Sequence, residues 1–471
     1  MVRSVPTWPR RFLSRPWLLA FVPVNAATSG FGVVLPLLIL ISLHGAWTDV
    51  ALAATLFNGA VILSSVAWGW ISDHVASRRL LLALNFAGFA VVYGALAGVH
   101  SLPTLLVLYT IVGVLAPAGT NAANLLILEK FGSTERPSAY ASFQLMSMLG
   151  AVGGLLVGYF WLLSGRSLSP LLLVLALLSA VSAVAIVLGV AEPRRSASHR
   201  QVADHADSLA SRLRHSISFR LFFPFFPVHP KLSAGSFRRF RTWVRAEVHH
   251  ELPLIFAATL LFNLSSNLFN ISYTPYLYSV GVGAASIFLV NLANNGAQAI
   301  VYPASGTLTN RIGPDRLVGR ATYLRSLGYL GVAGFTFLPL VAIAAFVANV
   351  VAFAILGIAI AFYSTASSIL LFRALEGRDA GRLLGFSSAL GGIAAVAGAA
   401  LSGVLSIFGS YRLVFLVSAG ALLVSLPIWS AATVAYARRH PHAIPALPPE
   451  PAAPAPKPVV PPRPLRAAET D

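Results

Sequence analysis

Asp73 is the residue from which chemistry would have to start. It closes a long apolar run in the stretch GWISDHVASRR, one helical turn beyond Gly69 and just ahead of the basic pair Arg78 and Arg79. A carboxylate so placed can accept hydrogen bonds from a helix N-terminus or an arginine, and a glycine one turn away lets a neighbouring helix approach. The bland alternative is a solvated charge pair worth less than about 1 kcal/mol. The stretch GTLTNRIGPDR repeats the spelling 237 residues later, keeping the glycine at Gly306 but placing Asn310 where the acid stood, with Arg311 and Gly313 at the places of His74 and Ala76. Other chemistry is hard to find. With 0 cysteines there is no thiolate, and no clustered carboxylate pair, metal-ligand spacing or phosphate loop occurs. The expectation is a protein that is not an enzyme, with no catalytic residue, no metal and no cofactor.

A second set of polar residues lies inside apolar runs. Asn25, Thr28, Ser29 and Gly32 fall at i, i+3, i+4 and i+7 and share one helix face, as do Asn263, Ser266, Asn267 and Asn270 at a shift of 238. Asn58 corresponds to Asn295, in a segment that also holds Asn291, at a shift of 237. Thr120, Asn121 and Asn124 correspond to Ser364, Thr365 and Ser368 at a shift of 244. A polar stripe in lipid must face protein or water. These side chains either bond neighbouring helices, at roughly 0.6 to 2 kcal/mol each, or line a shared hydrophilic cavity.

The elements that position these residues follow from composition. The 471 residues are 57% hydrophobic and 10% charged, too little polar surface for a soluble core of that size. A span needs about 20 apolar residues. Twelve candidates lie near 17–43, 49–72, 80–99, 104–129, 138–163, 169–191, 252–279, 284–305, 317–338, 341–372, 382–408 and 412–436. The first follows four arginines but is too long for a signal h-region and reads as a retained helix. With both termini inside, the even-numbered connections carry Arg78, Arg79, Lys130, Arg136, Arg311, Arg316, Arg320, Arg373, Arg378 and Arg382. The odd-numbered ones carry only Arg166 and Arg412. That asymmetry makes the even-numbered connections cytoplasmic. The register of the shifts marks two halves of a duplicated six-helix unit.

Twelve helices in two such halves, with a G-x-x-x-D-[R/K]-x-G-[R/K]-[R/K]-type loop after the second and a decayed copy after the eighth, resemble the major facilitator superfamily of secondary transporters. The match covers about residues 15 to 437, apart from the central loop. It departs at His74, where a base is usual, and at Ala76, where glycine is usual. The resemblance implies an all-α membrane fold of two homologous six-helix bundles. It also implies a cytoplasmic latch in which Asp73 meets the start of the eleventh helix near Gly381 and Arg79 reaches Glu129 or Glu135, beside Arg136. GAVGG with Gly158 loosely resembles an antiporter glycine pattern, though the usual proline is missing and close helix packing explains the same spacing.

The boundaries expected are a cytoplasmic segment 1–16, a bundle 17–192, a central loop 193–251, a bundle 252–437 and a Pro/Ala-rich tail 438–471. The central loop interleaves arginines with phenylalanines, and LFFPFFPVHP is too short and proline-broken to cross a bilayer, so its bases are placed on anionic headgroups at the inner interface. Nucleic acid is not expected as a partner, and PPRP in the tail reads as linker. Every acid lies in a loop, a tail or near a helix end, with Glu129 deepest and Asp49 the other candidate proton site. Arg325, about two turns into the ninth helix, reads as snorkelling to the headgroups; the sharper reading pairs it with an anionic substrate. A cavity of amides, hydroxyls and aromatics such as Tyr273, Tyr276 and Tyr363 suits neutral or amphipathic molecules. Export of lipophilic compounds by a plasma-membrane monomer, with protons as candidate coupling ion, is the reading that follows. Uptake of a neutral polar metabolite, or a receptor or scaffold on a transporter fold, are the alternatives.

Overall fold

The computed structural model describes residues 16–74, 77–130, 136–190, 251–338, 341–375, 380–408 and 410–439. The central loop, the Pro/Ala-rich tail, Ala76 and Glu135 lie outside them. Twelve long helices run in chain order: α1 (Phe21–Leu37, continued by a π turn Leu38–Ser42), α2 (Trp47–His74), α3 (Arg78–Leu96), α4 (Leu102–Lys130), α5 (Arg136–Leu163) and α6 (Leu168–Gly189). The second half adds α7 (Glu251–Ser279), α8 (Ala284–Ile312), α9 (Pro314–Phe335), α10 (Ala342–Leu375), α11 (Ala380–Ile407) and α12 (Tyr411–Arg439). No strand occurs among the described residues.

Among the described residues, eleven helices are long and apolar enough to cross a membrane. The twelfth, α9, carries Asp315, Arg316, Arg320 and Arg325. Several helices outrun their apolar spans. α8 continues to Ile312, seven residues beyond the expected 305, because Gly306, Thr307, Thr309 and Arg311 keep their hydrogen bonds within the helix after it leaves the apolar zone. The C-terminal ends of α2, α4, α8 and α10 mark the motif face. At that face α8 meets α9 through Gly313 alone, at φ 90, a left-handed conformation that a side chain would strain. Pro314 then opens α9.

Small residues set how closely the helices pack, and they do so twice. A Cβ on Gly113 of α4 would stand 2.5 Å from the Phe57 carbonyl of α2; on Gly357 of α10 it would strike the Asn294 carbonyl of α8. On Gly154 of α5 it would strike Ala26 of α1, and on Gly398 of α11 it would stand 2.8 Å from the Leu264 carbonyl of α7. These pairs repeat the shifts of 244, 237 and 238 read from the polar residues, so the two halves share their packing as well as their spelling. GAVGG acts here as packing: Gly150 and Gly154 lie against the α1 backbone, while nothing stands within 4 Å of a Cβ on Gly153.

The halves meet chiefly through α2 with α11 and α5 with α8. At the face opposite the motif, the Trp47 indole N–H donates to Ser402 Oγ at 3.3 Å, and its ring stacks on Tyr411 at 4.3 Å. Ser402 also shares a 2.7 Å hydrogen bond with Ser272. Gly158 leaves room for Phe288, which a Cβ there would strike.

Candidate functional site

Just beneath that closed end lies a cavity of about 320 Å³ between the halves. Its polar wall comes from α7 and α8: Asn270, Thr274, Asn291, Asn294 and Asn295, with Ser29 from α1. The facing wall is apolar, from Val33, Leu35, Val50, Ala54 and Leu155, with Tyr109, Tyr273 and Phe353 at its sides. None of the lining residues is acidic or basic. Pro36 and Pro275 have no N–H to give to the carbonyls of Gly32 and Ile271, and both of these residues line this cavity. A second cavity of about 190 Å³ opens deeper in the C-terminal half and shares Asn270, Asn294 and Phe353 with the first.

The predicted cavity residues divide. Ser29, Asn270, Asn291 and Asn295 line the first cavity, and Asn263, Ser266 and again Asn270 line the second. Asn25, Asn58 and Asn267 line neither, each donating to the carbonyl four residues back at 2.8 to 2.9 Å. Thr28 bonds the Asn25 carbonyl, and Ser368 the Ser364 carbonyl. Thr365 bonds Ser305 across α8 and α10 at 2.8 Å, which is packing. The side chains of Asn121 and Asn124 lie outside the described residues. Of the expected aromatics, Tyr273 reaches the cavity and bonds Asn349 at 2.9 Å, while Tyr276 and Tyr363 are buried elsewhere in the C-terminal half. Asn294 and Gln298 were missed, although with Asn291 they complete an i, i+3, i+7 stripe; Asn294 donates to the Phe353 carbonyl of α10 at 2.9 Å.

Arg325 requires a correction. It does not snorkel: it is 5% exposed, its Nε donates to the Tyr329 hydroxyl at 2.9 Å, and its guanidinium stands 5.2 Å over the Phe262 ring. Aromatic faces inside the bundle hold it more strongly than the short climb to water.

On the motif face the side chains of Gly69, Asp73, Glu129, Arg136 and Asn310 lie outside the described residues. Arg79 is exposed and donates to the Val187 carbonyl at the end of α6, at 3.3 Å. Ser77 caps α3 by accepting from Leu80 N–H at 3.0 Å. Arg311 sits exposed in the last turn of α8, where the helix dipole favours a cation. No described atom lies within 4 Å of a Cβ on Gly306. Asp49 caps α2 through the Ala46 N–H at 2.7 Å.

Two pseudo-symmetric six-helix bundles around a polar cavity, closed at one end, define a membrane transporter. The sequence profile of the Major Facilitator Superfamily matches residues 17–343 and 255–468, and the chain belongs to that family. An uncharacterised MFS-type transporter of Mycobacterium tuberculosis, in two strains, is 30% identical over 179 residues; the matched segment spans 37% of this chain and only 39% of those relatives. Among solved structures, a POT family transporter with a bound thioalcohol-conjugated peptide superposes with a TM-score of 0.66 at 13% identity, covering 91% of this chain and 96% of that one. The nucleoside transporter NupG reaches 0.64 at 13% identity, over 90% and 99%. A bacterial homologue of the human lysosomal transporter Spinster, inward-facing and unoccupied, reaches 0.61 at 14%, over 92% and 99%. At such identities these likenesses speak to the fold alone. The chain is a multi-pass membrane protein of a transporter family.

Proposed function

We propose that this protein is a secondary active exporter of amphipathic or lipophilic small molecules, working by alternating access at the cavity between its halves. The observation that carries this is the lining: amides and hydroxyls on one wall, aliphatic side chains on the other, and no charge on either. A wall of that kind binds a molecule with an apolar body and a few polar groups. Such molecules cross bilayers unaided, so a driven carrier matters to them chiefly for removal. The positive charge on the motif face supports a cytoplasmic motif face, with both termini inside, in a plasma membrane. We take the protein as a monomer whose basic central loop lies on anionic headgroups.

Thermal stability of the purified protein against sugars, amino acids, organic anions, lipophilic neutral drugs and lipophilic cations, at two pH values, tests the reading. A ligand at 100 times its dissociation constant adds about 2.7 kcal/mol. Stabilisation by lipophilic compounds and their efflux from vesicles is the expected result; stabilisation by a polar metabolite alone would replace the exporter with an uptake permease. The pH arm addresses proton coupling, for which Glu129 is the deepest carboxylate in the sequence.

The same reading makes the motif face a latch, with Gly69, Asp73, Arg78 and Arg79 in the first copy, Gly306, Asn310, Arg311 and Gly313 in the second, and Glu129, Glu135 and Arg136 as charged neighbours. Asp73→Asn is expected to leave the protein folded and inserted but slow transport several-fold; unchanged turnover in proteoliposomes would remove the latch.

A further inference from the structure

The smaller cavity contains a charge that the transport reading leaves unexplained. Arg325 is buried, and Tyr329 takes only its Nε–H; the remaining guanidinium N–H groups meet no acceptor among the described residues. Arg325 lines the cavity with Phe262, Asn263, Ser266 and Gln298. Ser266 is 8% exposed, and its buried hydroxyl has no hydrogen-bond partner. A guanidinium out of bulk water carries a penalty of several kcal/mol unless something answers its charge. Cation–π contact with Phe262 and Tyr329, each 5.2 Å away, answers only part of it, because the ring faces accept none of the in-plane N–H groups.

The first half shows what a merely structural solution looks like. Gly88 packs on Leu115 in the way Gly328 packs on Leu356, at a shift of 240 between α3 and α9. At that shift Arg325 corresponds to Asn85. Asn85 is buried, donates to the Leu115 carbonyl at 2.6 Å and lies against Gly119, where a Cβ would strike it. The amide is satisfied within the bundle. At the equivalent place in the second half the amide is replaced by a cation whose free donors face a cavity.

We propose that this chamber binds an anionic group of the carboxylate class, held by Arg325 with Ser266 as a second donor. It rests on the reading of the adjoining cavity as the substrate site, since Asn270, Asn294 and Phe353 line both. That reading is thereby narrowed to amphipathic molecules bearing an acid. The same chemistry would also hold a free inorganic anion.

The test is binding to the full chain purified in detergent, with hexanoate, its uncharged counterpart hexanamide, and chloride as probes, the ionic strength being held by a bulky sulfonate. Hexanoate is expected to bind at least about 10-fold more tightly than hexanamide. Arg325→Gln should weaken hexanoate about 30-fold or more and leave hexanamide unchanged. Because burial could make that variant unstable, Ser266→Ala and Arg325→Lys supply milder changes. Ser266→Ala should cost about 10-fold on hexanoate alone, and Arg325→Lys should retain part of the binding. Arg325-dependent binding of hexanoate that chloride does not displace supports the acid of an organic molecule. Binding of chloride alone, lost in Arg325→Gln, supports the anion site and assigns it to the inorganic ion. Equal affinity for hexanoate and hexanamide, or hexanoate affinity untouched by all three substitutions, would overturn the proposal. Efflux of a lipophilic dye from vesicles separates the two readings. Efflux without Arg325-dependent binding defeats the anion site alone, and Arg325-dependent binding without efflux of any amphiphile defeats the exporter alone.

Discussion

The asparagines inside this membrane protein do two different jobs. Asn25, Asn58 and Asn267 donate to carbonyls of their own helices, which already have intrahelical donors. Asn294 instead reaches from α8 to the Phe353 carbonyl of α10 and accepts from Gln298 Nε2 at 2.6 Å, holding the cavity wall together. Interhelical bonds in lipid are worth about 1 kcal/mol. Asn294→Leu should therefore lower the apparent melting temperature measurably and weaken ligand binding, while Asn58→Leu should do neither. Equal melting temperatures for the two variants would show that the wall is held by apolar packing.

At the scale of helices, glycine determines which pairs come close. Where a Cβ would meet backbone, as for Gly113 against Phe57 and Gly357 against Asn294, no rotamer change can make room and the helices must separate. Gly113→Ala and Gly357→Ala should each cost about 1 to 3 kcal/mol, read as a fall in thermal stability in detergent. In the GAVGG run of α5, Gly154→Ala, against the Ala26 backbone, should cost as much, while Gly153→Ala, facing open space, should cost almost nothing. A loss at Gly153 equal to that at Gly154 would place the effect in the glycine pattern itself rather than in close packing. The opposite device operates at Gly313, where backbone conformation, not a neighbour, demands glycine.

Across the whole molecule, alternating access requires that the contacts closing one face break when the other closes. Here the closed face is the one opposite the motif, pinned by Trp47 on Ser402 and Tyr411 and by Phe288 over Gly158. A Cβ on Gly403 would stand 3.3 Å from the Ala51 Cβ, near the separation a disulfide requires. The chain has no cysteine of its own. Ala51→Cys combined with Gly403→Cys should cross-link the halves on oxidation and stop transport, with activity restored by reductant. Full transport by the oxidised protein would show that this face need not open.

Membrane class, twelve long helices and the duplication were legible from sequence because they depend on local quantities: apolar run lengths, and shifts of 237, 238 and 244 that the glycine contacts repeat. Which polar residues face the cavity was legible only in part. Helical periodicity defines a face but not its neighbour, so Asn25 and Asn270 look alike until packing sends one to its own backbone and the other to the cavity. Arg325 shows the limit most clearly: two turns of helix suggest a climb to water, and only the tertiary arrangement of Phe262, Tyr329 and Ser266 around a chamber keeps its charge inside.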